Sequence, residues 1–381
     1  MRFKEAYTDW QESRLTQADA ARLLGVCERT FRRQIARYDA DGLDGLIDKR
    51  LEQVSHRRAP VDEVVQVVEL YRREYPGWNV RHFHSWYRKE HDGRRSYGWV
   101  KNTLQHAGVV TRAKARGKHR KKRERAPLPG MLVHQDASKH EWVPGVYWDL
   151  VVTMDDATGE HLSMFFCDEE GTASSFHGVG QMIARYGLFC ALYTDRGSHY
   201  FHTPEAGGKV DRSNPTQFGR ALAQLGIEHI AAYSPEARGR SERAFSTHQE
   251  RLPRELAKAG IADMQQANAY LEQVYMPGHN AEFAVPASAA GTAFVPYIGG
   301  AGLADILCEH YERTVGNDNC VSFDGLKLQI EADDVRVHYV KRRVRVHRYV
   351  DGSLAVFYGP RRLGRYDAQG KVQTKLQEQA A

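Results

Sequence analysis

The chain has 381 residues, 41% of them hydrophobic and 27% charged, with a formal net charge of +6. That length exceeds one ordinary domain, and the composition is that of a globular protein able to bury a large core. Five cysteines (Cys27, Cys167, Cys190, Cys308, Cys320) with no CxxC pair argue against a disulfide framework and a structural zinc site. They fit a reducing cytoplasm. The first residues, MRFKEAYTDW, lack the apolar centre of a signal peptide. No apolar run approaches the roughly 20 residues needed to span a bilayer. The expectation is a soluble, cytoplasmic protein.

From Thr16 to Tyr38 the sequence TQADAARLLGVCERTFRRQIARY predicts two short helices joined through Gly25. The second carries Arg29, Arg32, Arg33 and Arg37, the pattern of a helix-turn-helix whose basic helix enters a major groove. After a charged linker, Val64 to Tyr71 and Val80 to Tyr87 predict two helices. Ser96 caps a third, which Gly108 closes. Arg94, Arg95, Lys101 and Asn102 lie near that last helix, as in a second DNA-reading module. Between Arg112 and Arg125, nine of fourteen residues are Lys or Arg. Lys114, Arg116, Lys118, Arg120, Lys121, Lys122 and Arg123 belong to this block. Self-repulsion keeps it extended until phosphates neutralise it.

Past Pro129 the periodicity changes. Met131 to Gln135, Tyr147 to Met154 and His161 to Cys167 predict three consecutive strands, antiparallel because their connections are short. A helix over Thr172–Tyr186 then leads by a crossover to a fourth strand, Leu188 to Thr194. A helix over Thr216–Leu225, a fifth strand over Ile227–Ala231 and a long helix over Arg240–Leu256 follow. This order predicts a mixed sheet with helices on its faces, as in ribonuclease H. Between Val321 and Arg365 the runs KLQIE, VRVHYV, RRVRVHRYV and LAVFYG predict a small β-barrel. Its Arg342, Arg343 and Arg345 mark either a solvated face or a phosphate-binding surface, and Asp351-Gly352 marks a hairpin turn.

Three acids stand out. Asp136 closes the first predicted strand and Asp195 the fourth, which the topology sets side by side. Glu242 falls in the first turn of the long helix. Carboxylates gathered in one cleft repel unless divalent cations occupy the centre. Asp149, Asp155, Asp156 and Glu141 are nearby acids read as structural, the aspartates at 155 and 156 as turn formers.

HQDASKHEW, YTDRGSHY and YSPEARGRSE resemble, in order, the three catalytic blocks of the DDE transposase and retroviral integrase superfamily. NAEFAVPASAAGTAFVP resembles the segment after the catalytic core in bacterial insertion-sequence transposases, ISNCY-type elements most closely. The resemblance implies a metal-binding catalytic triad of Asp136, Asp195 and Glu242. It also implies two Mg2+ ions, replaceable by Mn2+, and phosphodiester transfer from transposon ends to target DNA within a homo-oligomeric synaptic complex. Arg196 and Arg238 stand where the blocks usually carry Asn, and with Arg240 they are candidate phosphate contacts.

The expected domains are helix-turn-helix over residues 1–50, a second helical module over 60–111, a basic linker over 112–128, a catalytic domain over 129–300 and a β-rich DNA-binding module over 320–367. Two rival readings are weighed. One is a tyrosine recombinase built on His310, Arg313 and Tyr339. The other is an inactive, transposase-derived regulator that only binds DNA.

Overall fold

A computed structural model describes residues 2–48, 58–112, 124–205, 208–233, 235–299, 302–332 and 335–373. The chain divides into two compact units, Met1–Glu74 with Trp99–Val110, and Tyr75–Gly98 with Thr111–Ala381.

In the first unit, α1 (Arg2–Gln11), α2 (Gln17–Leu23) and α3 (Glu28–Asp41) enclose a small core of Ala6, Ala20, Ala21, Phe31 and Ile35. Thr16 caps α2 by accepting from the Asp19 amide, and Gly25, at φ +67°, makes the turn into α3. The alanines let α2 lie close to α3, where Phe31 fills the gap. α4 (Val61–Glu74) buries Val67, Val68 and Tyr71. Most of α6 (Tyr97–His106) also belongs here and buries Val100 and Leu104.

The second unit opens with α5 (Val80–Glu90), capped by Asn79. A five-stranded sheet follows, built from β1 (Leu132–Val143), β2 (Val146–Asp155), β3 (His161–Cys167), β4 (Ala191–Thr194) and β5 (Glu228–Ala231), in the order β3-β2-β1-β4-β5. β1 to β3 pair antiparallel, while β4 and β5 run parallel to β1. This is the mixed sheet the sequence predicts.

The strand alternation feeds two cores. Val133 and Leu192 point to the face covered by α7 (Thr172–Tyr186) and α8 (Gln217–Gln224), with Phe176, Met182, Phe218 and Leu222. Trp142, Leu150, Val152 and Met164 point to the opposite face. Here they meet Phe245, Leu252 and Leu256 of α9 (Pro235–Lys258), together with α10 (Met264–Tyr270), a π-helical turn and α11 (Met276–Phe283). Each fully buried Leu or Phe contributes about 1.5–3 kcal/mol.

After α12 (Leu303–Ile306) comes a β-rich module. It contains β6 (Glu309–Thr314), the hairpin β7 (Cys320–Phe323) and β8 (Leu326–Gln329), then β9 (Arg343–Arg348), β10 (Leu354–Tyr358) and β11 (Arg361–Tyr366). The strands pair as a four-stranded sheet, β11-β10-β9-β6, and a separate two-stranded sheet. Among the described residues, no pairing closes a barrel. The run Val335–Val340, expected as a strand, is irregular: Val335 and Val337 are exposed while Tyr339 is buried. Apolar alternation alone does not supply a neighbouring strand. No helix among the described residues is long and apolar enough to cross a membrane, and all five cysteines are free.

Candidate active site

β1 does not end at Asp136, as the sequence suggested, but continues to Val143 along β2. Its pairing with β4 is what stops short, at His134 opposite Tyr193. The same offset carried two residues further sets Asp136 level with Asp195, where the two strands part and leave their upper ends unpaired with each other. Strand parity fixes the face. Val133 and Leu192 lie in the α7–α8 core, so Asp136 and Asp195, each three residues on, point to the α9 side.

Two contacts bring α9 along that same strip. Arg240 forms an ion pair with Asp156, which also accepts from His134 Nε2 at 2.8 Å. Nine residues later, Gln249 donates to Ser138 Oγ at 2.8 Å. Arg240 to Gln249 spans about 13.5 Å of helix, and His134 to Ser138 about 13 Å of strand. The helix therefore runs in step with β1. Glu242, seven residues before Gln249 and so on the same helical face, lies about 3 Å along the helix from Arg240, nearer the level of Gln135 than of Asp136.

Asp136 is 9% exposed, Asp195 half-buried and Glu242 exposed. Asp195 Oδ1 accepts from the Gly197 amide at 2.8 Å, and Asp136 Oδ1 from the Ala137 amide at 3.1 Å. Below them the Tyr200 phenol is pushed well up, first by burial, then by Glu170, with Asp136 and Asp195 contributing. A Cβ at Gly197 would stand 3.1 Å from Asp195 Oδ1 and 3.0 Å from His199 Cε1. The missing side chain keeps space clear beside the carboxylate.

The donor set of three carboxylates is hard, all-oxygen and anionic, which fits Mg2+. The three do not close into a compact group here. Among the described residues, the trios of ligand atoms within 4.8 Å of one another are His161, His248, His279 and Cys308, His310, His347. The first trio is sealed in the core. His161 and His248 share a 2.8 Å bond, and burial lowers His161 to about 4.

Of the neighbouring acids, Asp155 holds the turn after β2 by accepting from Gly130 and Thr158. Asp149 caps the Glu170 amide, and Glu141 the Gly145 amide. Asp156 does more than form a turn. Wholly buried, it accepts from His134, the Ala126 amide and Arg240. Burial opposes its ionisation, yet these donors hold it well below the usual carboxylate range. It links the segment before β1, β1 itself and the start of α9. The signal for it in the sequence is positional, since His134 stands two residues before Asp136 and Arg240 two before Glu242.

Arg29, Arg32, Arg33 and Arg37 are exposed on α3, opposite Phe31 and Ile35. Arg94, Asn102 and Arg112 are exposed, while Arg95 and Lys101 are half-buried. Arg342, Arg343 and Arg345 are exposed at or on β9. Arg196 donates to the Gly208 carbonyl at 2.8 Å and lies over the Tyr233 ring. Lys114, Arg116, Lys118, Arg120, Lys121, Lys122, Arg123 and the Arg238 side chain fall outside the described residues. Tyr339, nucleophile of the recombinase reading, is 2% exposed within the β-module core. His310 is bonded to the Asp305 carbonyl. A phosphodiester cannot reach a tyrosine buried in this way without the module opening.

Residues 7–61 match the family model described as "Winged helix-turn helix". The chain is 30% identical over 349 residues to "Putative transposase y4bF" of Sinorhizobium fredii, covering 91% of this chain and 76% of that one. It is 33% identical over 161 residues to the transposase for insertion sequence IS1202 of Streptococcus pneumoniae, covering 42% of this chain and 34% of the relative. Among solved structures, the HTLV-2 integrase catalytic core domain in complex with magnesium overlaps 39% of this chain and 90% of its own, at 18% identity and a TM-score of 0.31. The simian T-cell lymphotropic virus intasome in complex with PP2A regulatory subunit B56 gamma overlaps 81% of this chain and 98% of its own, at 14% identity and a TM-score of 0.34. Scores this low carry no argument about fold or chemistry.

Proposed function

This chain belongs to the insertion-sequence transposases, and from that premise we propose that it cuts and joins DNA at a site made by Asp136, Asp195 and Glu242. The observation that carries the reading is the parallel offset of β1 and β4, which sets the two aspartates level on the face that α9 covers. The α9 anchors at Asp156 and Ser138, on either side of Glu242 along the helix, support adding it to that pair.

Asp136, Asp195 and Glu242 would hold two divalent ions, Mg2+ or Mn2+, which would supply charge stabilisation at the attacking and leaving oxygens of the phosphodiester. The protein's own part is to hold three acids on rigid elements. Asp136 is fixed in mid-strand, Asp195 is turned by the Gly197 amide, and Glu242 is carried on a helix tied at two points. Glu242, the exposed member, has the freedom to swing inward when cations and DNA arrive.

The exposed arginines of α3 fit terminal-repeat DNA. Arg94, Arg95, Lys101 and Asn102, the basic block and the β-module arginines fit backbone phosphates. The reaction proposed is release of 3′-hydroxyls at the transposon ends and their transfer to target DNA, by chains assembled as a homo-oligomer across two ends.

The test is cleavage of DNA carrying the element's own ends. Asp136→Asn, Asp195→Asn and Glu242→Gln should each bind the ends and fail to cut or join them. Cutting that persists in a chelator would favour a metal-free recombinase. End binding by the unaltered chain with no cutting in Mg2+ or Mn2+ would favour the regulator.

A further inference from the structure

Cys308, His310 and His347 bring one sulfur and two imidazoles together, with ligand atoms all within 4.8 Å of one another. The β-module builds this cluster by simple strand geometry. Cys308 and His310 are two residues apart, hence on one face of the chain as it enters β6. His347 on β9 is the direct cross-strand partner of His310; the two rings stack at 3.9 Å and 14°, so one ring must turn before both in-plane lone pairs can meet one ion.

A second observation points to a ligand. His347 is 4% exposed, and neither of its ring nitrogens meets a hydrogen-bond partner among the described residues. An imidazole always carries at least one N–H and prefers an acceptor for it. Leaving a buried polar group unmatched costs about 1–3 kcal/mol. By contrast His310 is oriented, its Nε2 bonded at 2.9 Å to the Asp305 carbonyl. That bond fixes the proton on Nε2 and leaves the other nitrogen with a lone pair, the arrangement that metal-ligating histidines adopt.

We propose that Cys308, His310 and His347 bind one zinc-class divalent ion, which staples the start of β6 to β9. A thiolate with two imidazoles is a borderline-soft donor set, suited to zinc and unsuited to Mg2+ or Ca2+. Each imidazole offers one ring nitrogen to the cluster. Burial also pushes the Cys308 thiol up to about 12, while the nearby Arg220 favours the thiolate. Arg220 is held by the Ile306 and Cys308 carbonyls. The cluster borders a cleft of about 970 Å3 lined by Asp305, His310 and His347. Sequence spacing hid the site because its ligands are neither a CxxC nor an HxxxH. Cys308 and His310 are two residues apart, and the third ligand, His347, joins them only as a cross-strand neighbour.

The experiment uses the full-length, tag-free chain, stripped of metal and kept reduced with a phosphine, titrated with Co2+ and followed by absorption. The expected result is one equivalent showing a thiolate-to-cobalt charge-transfer band and tetrahedral visible bands, both abolished by equimolar Zn2+. Cys308→Ser should lose the charge-transfer band, and His347→Asn should weaken binding at least tenfold. His161→Asn, in the sealed trio, should leave the spectrum intact. Far-UV circular dichroism and apo urea midpoints establish that the variants fold. Absence of the thiolate band in the unaltered chain would overturn the proposal, as would its persistence in Cys308→Ser. Cobalt on the carboxylate site gives no such band, so failure here leaves the proposed function untouched.

Discussion

His134 Nε2 lies 2.8 Å from Asp156 Oδ1, the same oxygen that receives the Arg240 guanidinium. Through this one buried oxygen the strand that carries Asp136 is tied to the helix that carries Glu242. Removing the carboxylate strands a largely buried guanidinium, a ring N–H and the Ala126 amide. Asp156→Ala should therefore cost about 3–5 kcal/mol, read as a shift of the urea midpoint. Asp156→Asn, which keeps the size, should lose less stability yet depress strand transfer. Unchanged stability in Asp156→Ala would remove the tie.

Gly197 offers a test close to the chemistry. Gly197→Ala puts a methyl 3.1 Å from Asp195 Oδ1 and 3.0 Å from His199 Cε1. Either neighbour must move. Strand transfer should fall on the order of tenfold or more, because small misplacements of a catalytic group are costly. End binding, measured by gel shift, should hold.

Much of the core was legible in the sequence. Local hydrophobic period placed α7 to the residue, and short links between β1, β2 and β3 dictated antiparallel pairing. The neighbouring of β1 and β4 followed from topology. What escaped depends on tertiary partners. The length of β1 is set by β2, which holds the strand extended beyond Asp136. Asp156 looks like any turn aspartate until the helix delivers Arg240 to it. The Cys308, His310 and His347 cluster exists only after β6 and β9 are in register.

The sealed histidines predict acid lability. Burial lowers His161 to about 4 and His248 well below its ordinary value, so the folded chain holds them neutral. In the unfolded chain they take up protons below about pH 6.5. The stability they contribute is thus present above that pH and is lost progressively as pH falls towards the folded value. Between pH 7.5 and pH 5, His161 alone should account for about 2 kcal/mol. Urea unfolding at the two pH values measures the total, and His161→Asn should flatten the slope. An equal slope in that variant would contradict the assignment.

On α3, Arg32 and Arg33 are exposed on the face away from Phe31 and Ile35. Replacing both with Ala should weaken end binding without unfolding the helix. Every phosphate that one of these guanidiniums neutralises adds about 0.9 to the slope of log K against log salt, so the double variant should show a shallower dependence. Fluorescence anisotropy across a salt series reads both quantities. An unchanged slope with weaker affinity would assign these arginines to base edges instead.

The central claim is that Asp136, Asp195 and Glu242 jointly hold divalent cations when DNA is bound. A crystal of the full chain on DNA carrying its own transposon end, soaked in Mn2+, tests it by anomalous scattering. Manganese density should touch Asp136 and Asp195 together, with Glu242 drawn in from its exposed position. Manganese elsewhere, with those two aspartates touching none of it, would contradict the account.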